Sequence, residues 1–196
     1  MNEVEGLQVV DAKFVLNVGG GPSRILPERY NGWHQDLLDI DPDVNPDICV
    51  DALKLKDLEL QYKYDAIYNS HCLEHFYKHE VQTVLKGFLH ALKDAGFVEI
   101  HVPNLLNLFQ EILGRGLDVD DVWYRAGGPN GAPISFHDVL YGWNHAMSNG
   151  NIFYSHKCGF TAVSLNKELV NAGFGSVYVQ EQGANLMAIA YKNKQE

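Results

Sequence analysis

The sequence predicts an α/β fold, in which a mostly parallel sheet ends in an antiparallel hairpin. Two patterns carry this prediction. Short apolar runs alternate with segments whose apolar residues recur at helical spacing, which is typical of βαβ units and a parallel sheet. Near the C-terminus, two strand-like runs are separated by Gly183-Ala184-Asn185, which is typical of a hairpin.

Five strands are predicted in the N-terminal half. They are the apolar runs at residues 13–18, 34–40, 47–50, 64–70 and 96–103. Between the last two strands, apolar residues recur at helical spacing: Val81, Val84, Leu85, Phe88 and Leu92. Gly96 is expected to end that helix. The segment from Gly21 to Asp39 leaves little room for a helix between the first two strands.

The C-terminal part is expected to close the sheet. Thr161 is a candidate N-cap and Gly173 a candidate C-cap of a helix that precedes the hairpin. Residues 104–160 are less regular, with many aromatic residues and the glycine-rich run 127–131, and are interpreted as an inserted cap of short helices and loops. We therefore expect one domain, made of residues 1–103, the cap at 104–160 and the closing helix and hairpin at 161–196.

Composition limits the classes of function. With 196 residues, 46% of them hydrophobic and 20% charged, the chain is long and apolar enough for a globular core. Three widely spaced cysteines and the absence of a recognisable signal peptide favour a reducing, cytoplasmic setting. No apolar run has the length of a membrane span. A net charge of −10 disfavours a nucleic-acid partner.

Three consecutive glycines follow the first predicted strand: Gly19, Gly20 and Gly21. A turn without Cβ atoms can approach a ligand closely at the carboxyl edge of a parallel sheet. Asp39 ends the second predicted strand 20 positions after Gly19, a spacing that fits an acid accepting from a ribose. The glycines alone are equally typical of a tight turn or a phosphate site, but the full dinucleotide and P-loop patterns are absent.

Several strand ends taken together resemble the class I, Rossmann-like S-adenosylmethionine (SAM)-dependent methyltransferases. The matching stretches are "VLNVGGGP", "LLDIDP", "VDA", "YDAIYNSHCLEH" and "LKDAGFVEIHVPN". The likeness covers residues 13–103 and, by topology, 161–192. The likeness is strongest to the branch of this family that methylates small molecules. It implies a twisted seven-stranded sheet with helices on both faces, and a SAM-binding half at residues 1–103.

The resemblance also implies a role for each strand end. The three glycines would pass under the methionine part of SAM. Asp39 would hold the ribose hydroxyls, with Asp41 as a second-choice acid, and Ile40 would pack on the adenine.

The remaining cofactor residues implied by the resemblance lie at or just after the ends of the first, third and fourth strands. Asp51 would accept from the adenine amino group, with Ala52 beside it. Asn69 and Ser70 would lie near the methionine. Asn17 stands where the family usually has an acid, so its bond to the cofactor would lack a charge.

Methyl transfer needs positioning more than a catalytic triad, because the sulfonium methyl group is already activated. A general base is expected after the fourth strand, at His71, or in the cap. The cap candidates are His137, His145 and His156. His75 and His79 are expected to be capping or surface residues.

A metal site is not expected. His71, His75 and His79 are four residues apart with Glu74 beside them, and a helix would stack such residues on one face. However, the predicted helix begins within this segment and would separate them, and no HExxH motif is present.

The sequence therefore predicts a SAM-dependent methyltransferase that acts on a small molecule, with SAM as cofactor. Two alternatives remain open. Asn17 and the lack of an obvious base are compatible with a catalytically inactive SAM-binding module in regulation or assembly. An NAD-dependent oxidoreductase would share the turn and Asp39. The aromatic cap could equally serve as a homodimer surface.

Overall fold

A computed structural model describes residues 12–126 and 129–195. Gly127, Gly128 and the first eleven residues lie outside this description. The strands are β1 (Phe14–Val18), β2 (His34–Asp39), β3 (Ile48–Cys49), β4 (Tyr64–Ser70), β5 (Leu92–Pro103), β6 (Val122–Ala126), β7 (Ala132–Ser135), β8 (Ser176–Gln182) and β9 (Asn185–Tyr191). The α-helices are α1 (Val81–Ala91), α2 (Leu105–Arg115), α3 (Phe136–Tyr141), α4 (Asn144–Ser148) and α5 (Ala162–Ala172).

Seven strands form the central sheet in the order β3-β2-β1-β4-β5-β9-β8. The first five strands of this order run parallel, and β9 is antiparallel to both of its neighbours. The order reverses beside β1, whose last residue pairs with Leu38 on one side and Asn69 on the other. This confirms the predicted fold and places a ligand crevice beyond the carboxyl ends of β1, β2 and β4.

Each face of the sheet has its own apolar cluster, because successive strand residues point to opposite faces. On one face, Leu16 and Ile67 pack in a large core with residues of α1 and α5. On the other face, Val15 and Ala66 pack against Tyr30. Tyr30 ends a 3-10 turn at Glu28–Tyr30, which is the helical segment described between β1 and β2. The expectation of little helix there is confirmed.

The predicted ends of α5 are confirmed. Its N-cap is Thr161, whose hydroxyl oxygen accepts from the backbone N–H of Ser164 at 3.2 Å, and its C-cap is the left-handed Gly173. The expectation for Gly96 is wrong. Because α1 passes directly into β5, Gly96 lies inside that strand, where a Cβ atom would lie 2.9 Å from the carbonyl oxygen of Lys93. The glycine therefore allows a close backbone contact within the strand and does not end the helix.

The cap at 104–160 contains the short helices that the sequence predicts, together with an antiparallel pair, β6 and β7, that it does not. Leu108, Phe136 and Val139 form its own small apolar cluster. Asn104 caps α2 and also joins the cap to the sheet, because its backbone N–H donates to Ala184. In the described ranges, no helix has the length and hydropathy needed to cross a membrane.

Candidate functional site

The turn after β1 has a backbone conformation that requires glycine. Gly19 and Gly21 have φ values of +70° and +60°, in the left-handed region that residues with a Cβ atom rarely adopt. A Cβ atom on Gly19 would lie 2.5 Å from the sulfur of Cys72, and one on Gly20 would lie 2.2 Å from Nδ2 of Asn17. The turn is therefore pressed against the residues that follow β4 and those within β1.

A cavity of about 240 Å³ opens above this turn. The sequence-predicted residues in its lining are Gly19, Gly21, Asp39, Ile40, Asp41, Asp51, Ala52 and His71. The cap adds Asn151, Phe153, Tyr154 and Lys157 on the opposite side. The structure thus brings the ends of β1, β2, β3 and β4 together around one space, as the topology requires.

Two carboxylates of this cavity, Asp39 and Asp51, are held by backbone N–H groups. Asp39 accepts from Gly21 at 3.3 Å and from Asp41 at 3.1 Å, one bond to each oxygen. Asp51 accepts from Leu53 at 2.9 Å as the N-cap of a 3-10 turn. A carboxylate offers about four lone-pair sites, so each of these acids is oriented and still has capacity for a ligand.

Four other predicted cofactor residues are close to the cavity but do not line it: Asn17, Gly20, Asn69 and Ser70. Asn69 is buried and its amide donates to the carbonyl oxygen of Val18 at 3.3 Å. Among the described residues, the Oδ1 atom of Asn69 and both side-chain polar atoms of Asn17 have no hydrogen-bond partner. Orphaned buried amides are costly, so these atoms fit a bound polar group.

A second cavity, of about 430 Å³, adjoins the first. The two share His71, His75 and Tyr154 in their linings. The cap supplies most of the remaining wall: Trp123, Tyr124, Ile134, Asp138, Val139, Trp143 and His156. The aromatic cap therefore encloses a space that meets the glycine-turn cavity at the residues following β4.

His71 stands at this junction in a left-handed conformation, with φ +50°. Its backbone N–H donates to His101 at 2.8 Å, and its Nδ1 atom lies 3.3 Å from Oε1 of Glu74. Burial lowers the pKa of His71, but the interaction with the Glu74 carboxylate outweighs burial and raises it above its ordinary value. Strained non-glycine residues of this kind cluster at functional sites.

The three cap histidines occupy different surroundings. His156 lines the second cavity, and burial lowers its pKa. His137 and His145 line neither cavity; their rings pack on Tyr141 and Trp143, respectively. The geometry thus favours His71 and His156 over the other two candidates.

Sequence reasoning misplaced His75. It lies in a 3-10 turn, Leu73–His75, that precedes α1, and α1 begins only at Val81. His75 lines both cavities, so the expectation that it would be a capping or surface residue is wrong. His79 is exposed, as expected.

Backbone contacts position this turn against the cap. The carbonyl oxygen of Glu74 accepts from Lys157 at 2.8 Å and from Cys158 at 3.2 Å. Gly142 allows the approach of the next segment, since a Cβ atom there would lie 1.9 Å from the carbonyl oxygen of Tyr154.

Solved structures share this architecture. A SAM-dependent methyltransferase from Archaeoglobus fulgidus matches with a TM-score of 0.58 at 15% identity, over 92% of this chain and 86% of that one. The Burkholderia thailandensis 1,6-didemethyltoxoflavin-N1-methyltransferase, solved with S-adenosylhomocysteine (SAH), matches with a TM-score of 0.55 at 16% identity, over 93% and 72%. The fold is that of the SAM-dependent methyltransferases.

Other matches are longer than this chain. The CMeT domain of the citrinin polyketide synthase matches with a TM-score of 0.58 at 14% identity, over 94% of this chain. The chain spans 47% of that structure and 52% of an O-methyltransferase family protein from Burkholderia thailandensis. No family model matches the sequence, and no curated protein matches it. At these identities the likeness establishes the methyltransferase fold alone.

Proposed function

We propose that the chain is a SAM-dependent methyltransferase acting on a small molecule. The observation that carries this proposal is the pair of adjoining cavities, which meet at His71, His75 and Tyr154. The first cavity has a glycine turn and acidic strand ends. The second has aromatic walls. Methyl transfer needs this arrangement, because the donor and the acceptor must be held in line with each other and away from water.

The residues along the sheet edge in the first cavity suit successive parts of the SAM molecule. The free lone pairs of Asp39 would accept from the ribose hydroxyls, and Asp51 would accept from the adenine amino group. Ile40, 41% exposed, would pack on the adenine. SAM supplies the activated methyl group when it is bound.

The second cavity suits the acceptor. Trp123 and Trp143 give it flat apolar walls, and His71, His156 and Asn185 add a few polar groups. Pockets of this composition bind small organic molecules rather than extended chains. His71 lines both cavities, so it is the predicted histidine that would contact donor and acceptor together.

The decisive experiment is calorimetric titration of the purified chain with SAH, with NAD as the control. We expect SAH to bind in the micromolar range and NAD not to bind. Absence of SAH binding would contradict the proposal, and NAD binding would favour an oxidoreductase. SAH binding without methyl transfer across a broad panel of acceptors would favour the inactive module.

A further inference from the structure

Three potential ligand side chains converge beside the second cavity: Glu74, His75 and His156. One ligand atom from each lies within 4.8 Å of the other two. Glu74 and His75 are neighbours in the 3-10 turn after β4, whereas His156 comes from the cap, 81 positions beyond His75. In the described part of the chain, Glu74 makes neither a hydrogen bond nor an ion pair with either of these histidines. The rings of His75 and His156 pack edge to face, with centroids 4.9 Å apart, and the Glu74 carboxylate lies beside them without a hydrogen bond to either.

Glu74 is the most unusual member of the cluster. Its side chain is only 1% exposed, and neither carboxylate oxygen accepts a hydrogen bond from any residue that the structure describes. Its nearest basic group is the half-exposed His71, whose Nδ1 atom lies 3.3 Å from Oε1 of Glu74. His71 pairs with Oε1 alone, so Oε2 has no partner among the described residues, and a buried carboxylate oxygen of this kind is favourable only when it is paired or coordinates a metal. The carboxylate thus points to a positively charged ligand.

Both histidines have the tautomer that a metal requires. The Nδ1 atom of His75 lies 3.0 Å from the carbonyl oxygen of Ser155, and that of His156 lies 2.8 Å from the carbonyl oxygen of Val139. A carbonyl oxygen can only accept, so each Nδ1 carries the proton. In the neutral form of each ring, the lone pair of its Nε2 atom is then free. Metal-binding histidines are characteristically oriented in this way, by donating their other nitrogen to a carbonyl or carboxylate.

We propose that Glu74, His75 and His156 bind a divalent transition-metal ion. Two imidazole nitrogens and one carboxylate oxygen suit Zn²⁺, Co²⁺ or Fe²⁺, and three protein ligands leave coordination positions for an exogenous group. His75 and His156 line the acceptor cavity, so an acceptor in that cavity reaches the open positions. The site differs from the helical set considered from the sequence: His75 lies in a 3-10 turn before α1, and the second histidine is His156 of the cap.

The metal defines the chemical class of the acceptor, an inference that rests on the proposed methyl transfer. A Lewis acid beside the donor cavity activates an oxygen acceptor, because coordination makes a hydroxyl group easier to deprotonate. The acceptor is a small molecule with a hydroxyl group next to a second oxygen, so that both can coordinate. The hydroxyl proton leaves to solvent, the oxygen lone pair forms the new bond to the methyl carbon, and the S–CH₃ electron pair stays on sulfur, giving SAH.

The metal site is tested by binding, independently of activity. The full chain is stripped with a chelator, then titrated with Zn²⁺ by calorimetry and with Co²⁺ by visible absorbance. We expect one ion per chain. His156→Gln and Glu74→Gln should each weaken Zn²⁺ binding by at least about 100-fold, since even an outer-shell partner is worth about 10–100-fold. The exposed His79→Gln is the matched control and should bind as the unaltered chain does.

Each outcome decides the proposal. Substoichiometric Zn²⁺ in the unaltered chain would overturn it, as would equal weakening by His79→Gln and His156→Gln. Circular dichroism and SAH binding check the fold of every variant; if Glu74→Gln fails to fold, His156→Gln decides. SAH binding to the metal-free chain tests the proposed function separately. If Zn²⁺ binds but only acceptors without paired oxygens are methylated, the metal site stands and the acceptor class is wrong.

Discussion

The side-chain amide of Asn151 donates to Oδ2 of Asp41 at 3.4 Å, across 110 residues of sequence. Asp41 follows β2 and Asn151 belongs to the cap, and both line the cofactor cavity. The carbonyl oxygen of the same Asn151 side chain also accepts from the backbone N–H of Phe153 at 3.2 Å. This residue therefore ties the cap to the edge of the sheet directly over the proposed SAM site.

Asn151→Ala should weaken SAH binding by about fivefold, because one part-buried hydrogen bond to a charged oxygen is worth about 1 kcal/mol at this length. Calorimetry gives the affinity. Asn144→Ala, at an exposed position of α4, is the control and should leave the affinity unchanged. Equal affinities for the two variants would show that the bond between Asn151 and Asp41 does not help to hold the cofactor.

Asp39→Ala should weaken SAH binding by about 10–100-fold, since a charge-assisted hydrogen bond to the ribose is worth about 1.5–3 kcal/mol. Some stability is also lost, because Asp39 accepts from the backbone of Gly21 and Asp41. Calorimetry and thermal unfolding separate the two effects. Asp43→Ala, an exposed acid nearby, controls for the change in charge. An unchanged affinity in folded Asp39→Ala protein would refute the ribose assignment.

The cofactor side of the site was predictable because its information is local. Each polar residue lies at or directly after the end of a strand, as Asp39 ends β2, and the carboxyl ends of parallel strands share one edge. Local sequence does not show whether a residue lines the cavity or lies behind its wall, because that depends on tertiary packing. Asn17 and Asn69 follow the expected pattern, yet both are buried beside the cavity.

The cluster of Glu74, His75 and His156 could not be derived from spacing. His156 reaches the turn after β4 only because the cap folds back, with its backbone N–H donating to Tyr141 at 3.0 Å beside Gly142. The helical periodicity before Val81 was also misleading, because the chain forms a 3-10 turn there. Histidines spaced four residues apart share one face only when the segment is a regular α-helix.

The glycine turn gives a pair of matched substitutions. Gly19→Ala combines a left-handed backbone with a Cβ atom 2.5 Å from the Cys72 sulfur, whereas Gly21→Ala has a left-handed backbone and nothing within 4 Å. A side chain in this conformation costs about 1–2 kcal/mol, and overpacking adds about 1–3 kcal/mol. Gly19→Ala should therefore lower the free energy of unfolding by about 1–3 kcal/mol more than Gly21→Ala.

Urea unfolding measures this difference. Gly19 and Gly21 both line the cavity, so SAH binding should weaken in both variants and only the unfolding measurement separates them. If Gly21→Ala proves as unstable as Gly19→Ala, the close packing of the turn against Cys72 is not what requires a glycine at position 19.

Glu99 makes stability depend on pH. Its side chain, 1% exposed, accepts from the Tyr30 hydroxyl at 2.8 Å, lies 2.8 Å from Nε2 of His101 and pairs with Arg29. Burial raises the pKa of Glu99, but the bonds to His101 and Tyr30 and the charge of Arg29 outweigh burial and lower it below its ordinary value. A lowered pKa stabilises the fold above the unfolded-state value, about 4.3, and this stabilisation is lost as the pH falls through the folded-state value.

Glu99→Gln should therefore be less stable than the unaltered chain at pH 7, by about 1.5–3 kcal/mol, because bonds to a charged group become neutral ones. The difference should shrink as the pH falls below about 4, where the unaltered chain also loses its carboxylate. Urea unfolding at pH 7, 5, 4 and 3 measures it. Glu59→Gln, at an exposed position, should show no such trend. A difference between Glu99→Gln and the unaltered chain that stays constant from pH 7 to 3 would mean that the shape of the side chain, and not its charge, holds Tyr30 over this face of the sheet.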